Sequence, residues 1–291
     1  MRGSLKKRAR CKTMLQITIL TDDCVRKRGL LAEHGLSLWI ESDQNKILFD
    51  TGQTDVFLKN AQSLGFDLDQ AQAIVISHGH YDHGGGLAWY PLREKGPRIY
   101  LHPEAMLPKF GLAKHLEEPH RPVGLPWRME QIKHLDQLVT FNTSTLSIAD
   151  NLYLCAEIPA VTDFEPVNTS LLVEKNDQVL VDAMHDEQVL VCTCKKGLVV
   201  VVGCSHPGIV NILKYVHLFF SELPILAVIG GMHLESASPV RLQQTIDYFR
   251  QMGIAKIVPL HCTGSQAVWT MKQQLGDAVV SACAGDTILL G

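Results

Sequence analysis

The sequence predicts an α/β fold in which short strands alternate with amphipathic helices and deliver polar side chains to a common edge. Three observations carry this. Short apolar, β-rich runs end abruptly in Gly, Ser, Asp or His, and several are followed by segments of helical periodicity. The composition, 46% hydrophobic and 20% charged over 291 residues, is that of a packed globular chain and excludes a disordered or fibrous one. A chain of this length buries a core without disulfide or metal staples.

Taken in order, residues 47–49 run into Asp50-Thr51-Gly52, and residues 74–76 into Ser77-His78-Gly79-His80. Residues 199–202 precede Gly203-Cys204-Ser205-His206, residues 227–229 precede Gly230-Gly231-Met232-His233, and residues 257–260 precede His261-Cys262-Thr263-Gly264. Helical spacing follows at 56–64, 209–220 and 239–252. In layered α/β folds the loops leaving strand ends line the ligand crevice, so these ends predict a single convergent site. Residues 98–165 break the rhythm with prolines at 103, 108, 119, 122 and 126, and are expected to be an insertion, either a lid or a plain surface loop.

With 27 Lys and Arg against 30 Asp and Glu, the formal charge of −3 gives no global case for nucleic acid or an anionic membrane as partner. The longest apolar runs fall far short of the ~20 residues a membrane helix needs. Residues 1–13 are expected to be a flexible basic tail, because the apolar stretch behind them is too short and polar for a signal peptide. Residues 14–291 are then one domain carrying the 98–165 insertion. Eight cysteines without a C-x-x-C pair fit a reducing, cytoplasmic setting better than a disulfide scaffold.

The sharpest signal is His78-Gly79-His80-Tyr81-Asp82-His83, followed by three glycines. His78 and His80 stand two apart at a strand end, which points both imidazoles to one side, and the glycines permit a turn that brings Asp82 and His83 to the same space. Imidazoles and a carboxylate are the donors that zinc or a similar first-row divalent ion prefers.

This H-x-H-x-D-H motif, with Asp50 at an earlier strand end and His261 at a later one, resembles the metallo-β-lactamase superfamily. The resemblance implies a four-layered αββα sandwich with a dinuclear metal site between the sheets. Further segments are similar to one branch, the 7,8-dihydropterin-6-yl-methyl-4-(β-D-ribofuranosyl)aminobenzene-5′-phosphate synthase family: Glu33-His34-Gly35-Leu36-Ser37, Thr162-Asp163-Phe164-Glu165, Asp186-Glu187-Gln188, Gly203 through Asn211, and Gly230-Gly231-Met232-His233-Leu234. By this resemblance His78 and His80 bind the first metal, Asp82, His83 and His261 the second, and Asp50 orients a ligand imidazole. Two completions stay open. Either His206 is the third ligand of the first site with Cys204 nearby, or His185 is, with Cys204 where the superfamily usually has a bridging Asp. His206 is preferred because it directly follows a strand.

Asp82 and His233 are the expected catalytic groups, His233 as a proton shuttle or substrate contact. Glu33 and His34 are expected to line the pocket. Arg121 and Arg128, among Lys109, Phe110, Trp127 and Phe141, are expected to bind a flat, phosphorylated substrate, unless these aromatics simply pack the insertion down. The cofactor expectation is two divalent ions, zinc first, manganese or iron otherwise. Such a pair lowers the pKa of a bound water toward ~7 and polarises a substrate oxygen. The expected enzyme is a hydrolase of a small, phosphorylated or pterin-like molecule acting through a metal-bound hydroxide. The alternatives are a dihydropterin-condensing transferase in which the metals bind diphosphate, and a non-catalytic metal-binding or redox protein of the same fold. A small molecule is the expected partner, without nucleic acid or membrane, and a homodimer is allowed.

Overall fold

The computed structural model describes residues 14–42, 45–113 and 120–291. The expected basic tail lies outside the described residues. The first sheet has seven strands: β1 (Leu15–Thr21), β2 (Ser37–Glu41), β3 (Lys46–Phe49), β4 (Ala73–Val75), β5 (Arg98–Leu101), β8 (Val139–Phe141) and β17 (Thr287–Leu290), ordered β17-β1-β2-β3-β4-β5-β8. The second has six: β9 (Leu146–Ala149), β10 (Leu152–Cys155), β13 (Val189–Cys194), β14 (Gly197–Val202), β15 (Ile225–Gly231) and β16 (Lys256–Leu260), ordered β16-β15-β14-β13-β10-β9. A small third sheet joins β6 (Lys109–Gly111), β7 (Arg121–Pro122), β11 (Leu171–Lys175) and β12 (Gln178–Val181) in the order β12-β11-β6-β7.

The layers follow from period-two alternation along buried strands. Val199 and Val201 of β14 face the first sheet and pack with Ile17, Leu38, Phe49 and Val75. Leu198, Val200 and Val202 face the other way, onto the apolar sides of α4 (Ile209–Phe219), α5 (Pro239–Met252) and α6 (Ser265–Leu275). On the far side of the first sheet, Leu48 and Ile74 pack with Phe57 and Ala61 of α1 (Val56–Leu64). Helix, sheet, sheet and helix are therefore stacked in that order, the αββα sandwich the motif implies.

The 98–165 stretch departs from its expected role as an insertion. β5 and β8 pair in parallel within the first sheet, and β9 and β10 belong to the second. Between Leu101 and Val139 the described residues leave the main sheets and include α3 (Leu135–Leu138), while the short helix α2 (Tyr81–Gly84) follows β4. Strands of three or four residues with proline at their flanks carry too little periodicity to be read from sequence.

The site is placed by parallel pairing. β3 and β4 run parallel, as do β14, β15 and β16, so their C-terminal ends emerge on one edge of the sandwich. Non-glycine residues with left-handed backbone occupy four of the exits: Asp50 (φ 56°), Ser205 (φ 61°), His233 (φ 47°) and His261 (φ 47°). Each costs of order 1–3 kcal/mol and persists because the surrounding packing fixes it.

Candidate metal centre

Asp50 organises the base of the site. Its Oδ2 is 2.7 Å from His83 Nδ1 and accepts from Ser77 Oγ at 2.8 Å, while Oδ1 accepts from the Ser77 amide at 2.7 Å. Ser77 Oγ lies 2.9 Å from His78 Nδ1. One buried carboxylate thus fixes two imidazoles by their Nδ1 edges, directly and through a hydroxyl, and turns both Nε2 atoms into the cavity. His83 Nε2 meets Cys204 Sγ at 3.1 Å, and His78 Nε2 meets His80 Nδ1 at 3.1 Å.

Asp186-Glu187-Gln188 tie the two sheets' ends together. Asp186 accepts from the Gly79 amide at 2.7 Å, between His78 and His80. Glu187 accepts from the amides of Ser205 at 2.5 Å and His206 at 2.7 Å. The Gln188 side-chain Nε2 donates to Ile76 O at 2.9 Å. Burial pushes the Glu187 carboxyl up to about 8. The approach is close enough to require glycine: a Cβ on Gly79 would lie 2.2 Å from Ala105 O, and one on Gly203 2.2 Å from Ser77 Oγ. Thr162 through Glu165 act similarly, since Glu165 accepts from the Val210 and Asn211 amides at the start of α4.

Above this frame, His78, His80 and His206 present ligand atoms within 4.8 Å of one another, as do His78, His83 and Cys204. His80 Nε2, both ring nitrogens of His206, His233 Nδ1 and His261 Nε2 are buried with no hydrogen-bond partner. Buried orphan nitrogens are costly, and several converging ones fit a bound cation. Burial first, then the neighbouring imidazoles, pushes His78 and His206 well below the usual range, and His80 falls to about 4, mainly by burial. All three are neutral near pH 7, the form that ligates. Burial opposes ionisation of Asp82, yet the His261 and His34 imidazoles beside it hold it well below the usual carboxylate range. Burial pushes the Cys204 thiol well up, so a cation would be needed to hold it as thiolate.

Of the two completions, the structure brings His206 into the cluster, its ring centroid 4.8 Å from that of His78, and leaves His185 exposed. The His233 ring lies 4.6 Å from that of His206. His261 and His34 both reach Asp82.

Other expected residues lie elsewhere. Glu33 does not line the pocket: its carboxylate accepts from the Gln53 and Thr54 amides and the Thr54 hydroxyl, anchoring the loop after β3. Lys109 is buried, with Nζ 2.5 Å from Asp182 Oδ2 and 3.0 Å from Asp186 Oδ1, and is not free to meet a phosphate. Trp127 packs in the core with its indole N–H on Gly84 O at 2.8 Å, so it cannot stack on substrate. Arg121 is exposed on β7 and its charge is felt by Tyr81, next to Asp82. Arg128 is exposed beside the turn at Met129–Gln131, without a contact to the histidine cluster among the described residues.

Sequence reasoning missed Asp22 and Asp23, which follow β1. Asp22 accepts from the His261 amide at 2.8 Å, and Asp23 Oδ1 is 2.6 Å from His261 Nδ1. It also gave no role to Cys262, whose ligand atom groups with those of Cys204 and His261. The available signal was the same one used at the other ends, an apolar run terminated by acid.

A four-layered sandwich with histidines, an aspartate and a cysteine gathered at its parallel strand ends defines a metallo-β-lactamase-type protein. The metallo-beta-lactamase superfamily model matches residues 31–261, and the chain belongs to that superfamily. It is 32% identical over 255 residues to the 7,8-dihydropterin-6-methyl-4-(β-D-ribofuranosyl)-aminobenzene-5′-phosphate synthase of Methanocaldococcus jannaschii, covering 81% of this chain and 83% of that one. It is similar to the crystal structure of Tm1679, a metal-dependent hydrolase of the β-lactamase superfamily, with TM-score 0.80 and 34% identity over 94% of this chain and 98% of that one. Zn2+-bound PqqB from Methylobacterium extorquens shares the fold alone, with TM-score 0.57 and 11% identity over 94% and 99% of the two chains.

Proposed function

We propose that this protein is a dinuclear metal-dependent hydrolase of a small, phosphorylated or pterin-like molecule. The observation that carries the reading is the convergence of buried, unpartnered ring nitrogens of His80, His206 and His261 beside His78, His83, Asp82 and Cys204. His78, His80 and His206 would hold the first ion, and Asp82, His83 and His261 the second, with Cys204 at the second as well. The nitrogen and sulfur donors favour zinc, with manganese or iron as the alternatives. Such ions, when bound, supply Lewis acidity toward a substrate oxygen and lower the pKa of water.

The chain's own groups supply the rest. Asp82, ionised at neutral pH, offers its carboxylate between the Nε2 atoms of His34 and His261. His233, with Nδ1 unpartnered and its ring against His206, would pass a proton to a leaving oxygen. Arg121, beside Tyr81 at the outer edge, would pair with an anionic group of the substrate. A condensing transferase is the second reading, favoured by the identity to the M. jannaschii synthase. The seven described cysteines are all free, which accords with a reducing, cytoplasmic compartment.

The test is elemental analysis of purified protein followed by a substrate panel of phosphate esters, lactones and pterin phosphates. Up to two first-row ions per chain and turnover of a phosphorylated ester are expected, and His78→Ala with His80→Ala should remove the first ion. Unchanged metal content in that double variant refutes the site. Condensation of a dihydropterin-methyl diphosphate without ester hydrolysis selects the transferase.

A further inference from the structure

We infer that His34 is a ligand of the second metal position alongside His261, and that Asp23 is the carboxylate that orients both imidazoles for that role. The inference rests on the metal-dependent reading above and replaces the expected role of His34 as a pocket-lining substrate contact.

The two histidines are held in the same way from opposite ends of the chain. His34 Nδ1 lies 2.9 Å from Asp23 Oδ2, and His261 Nδ1 lies 2.6 Å from Asp23 Oδ1. Both Nε2 atoms approach a single oxygen, Oδ2 of Asp82, at 3.2 Å from His34 and 3.3 Å from His261. The ring centroids are 4.7 Å apart. A ligating histidine hands its second N–H to a carboxylate, which fixes the tautomer and leaves the other nitrogen's lone pair aimed at the ion. Here one carboxylate does so for two rings, and both free nitrogens converge beside the carboxylate assigned to the same ion. His261 Nε2, although close to Asp82, has no hydrogen-bond partner, so that approach is a convergence of donor atoms rather than a hydrogen bond.

The His34 backbone is as firmly placed as that of a strand-end ligand. The Gly35 amide donates to Asp23 Oδ1 at 3.1 Å and the Leu36 amide to Asp82 O at 3.1 Å. A Cβ on Gly35 would lie 2.5 Å from Asp82 O, so the turn carrying His34 is pressed against the turn carrying Asp82. A substrate-gripping side chain on a mobile loop would need none of these ties. With its side chain 54% exposed, His34 closes the solvent edge of the second position, whereas the first position is lined by His78 and His80, both buried. The second ion is therefore the one that exchanges first.

The test is titration of the metal-free protein with Co2+ and Zn2+ against a competing chelator, with melting of the metal-free form as the check on folding. Wild type should bind two equivalents. His34→Ala should bind the first with wild-type affinity and lose the second by more than about 100-fold, and Asp23→Asn should weaken the second about 10- to 100-fold. In proton spectra of the dicobalt protein, His34→Ala should delete one strongly shifted exchangeable ring N–H signal, while Asp23→Asn should move two. Should the alanine variant fold poorly, His34→Asn serves for the same comparison. Two equivalents bound with wild-type affinity by the His34 variants, or a loss confined to KM, overturns the assignment and returns His34 to substrate. Failure of wild type to bind any ion overturns the metal-dependent reading itself.

Discussion

Replacing Lys109 by Met should destabilise the protein more than any surface charge removal, and should weaken the metal site without touching a ligand. Lys109 is 2% exposed and carries its charge between Asp182 and Asp186, themselves 4% and 0% exposed. Removing one member of a buried ion pair leaves uncompensated charge and costs about 3–5 kcal/mol. Two carboxylates are stranded here, but each keeps a backbone donor, Met184 N for Asp182 and Gly79 N for Asp186. The lower part of that range is therefore expected, which at about 2 °C per kcal/mol for a chain of this size is a fall in Tm of about 6 °C. Calorimetry of wild type and Lys109→Met gives the value directly, and Lys109→Met/Asp182→Asn/Asp186→Asn should recover part of it. The pH dependence has a definite sign. The neighbouring Asp charges overcome burial and raise the Lys109 pKa, so its contribution is present below 10.5 and lost as pH rises through the folded value. Lys109 and the Gly79 amide outweigh burial and lower the Asp186 pKa, so its contribution is present above 3.8 and lost as pH falls through the folded value. The wild-type advantage should be flat between those limits and shrink outside them. A Tm difference below about 2 °C at pH 7, or one that grows above pH 10.5, refutes the buried-pair argument.

Cys204→Ser should remove the thiolate-to-metal charge-transfer band of the cobalt-substituted protein, and an identical spectrum would return Cys204 to the core. Gly79→Ala, with its Cβ 2.2 Å from Ala105 O, should cost about 1–3 kcal/mol and lower first-site metal affinity, measured by melting and chelator competition. Glu33→Gln should lower Tm through the weakened anchoring of Gln53 and Thr54 while leaving metal stoichiometry at the wild-type value, because its carboxylate faces that loop and not the cluster. Arg121→Glu should raise KM for an anionic substrate with metal content unchanged.

The parts of the site legible in the sequence are those whose chemistry is local. His78, His80, Asp82 and His83 sit within six residues at a strand end, and Asp50, His206 and His261 each follow an apolar run that announces its own strand. The helices at 56–64 and 239–252 were legible for the same reason, since a 3.6-residue period is repeated over nine and fourteen residues. What could not be read is what joins distant segments. Lys109 sits 73 and 77 residues from the two carboxylates that neutralise it, and nothing in its proline-flanked neighbourhood distinguishes it from a surface lysine. The expected substrate-binding cation thus proves to be a buried strut. For Trp127 the structure selects packing over stacking, a choice its neighbourhood in sequence does not make because its partner is a carbonyl 43 residues away.

Asp23 is the more instructive omission, because its signal was present. Leu15–Thr21 ends in Asp22-Asp23 just as β3 ends in Asp50, but the carboxylate's role is defined by two imidazoles, His34 11 residues later and His261 238 residues later. The two acids perform parallel tasks. Asp50 fixes His83 directly and His78 through Ser77 at the floor of the site, and Asp23 fixes His34 and His261 at its outer edge. Each turns a pair of imidazoles so that the nitrogens left over point inward, which the ligand spacing alone does not specify. A chain that kept H-x-H-x-D-H but lost these two carboxylates would retain four of its ligand residues in sequence while losing the orientation of the rings. Asp50→Asn and Asp23→Asn should accordingly weaken different ions, the former affecting His78 and His83 and hence both positions, the latter only the second. Chelator competition on the two variants separates these outcomes, and equal loss at both positions in Asp23→Asn would refute the division of labour.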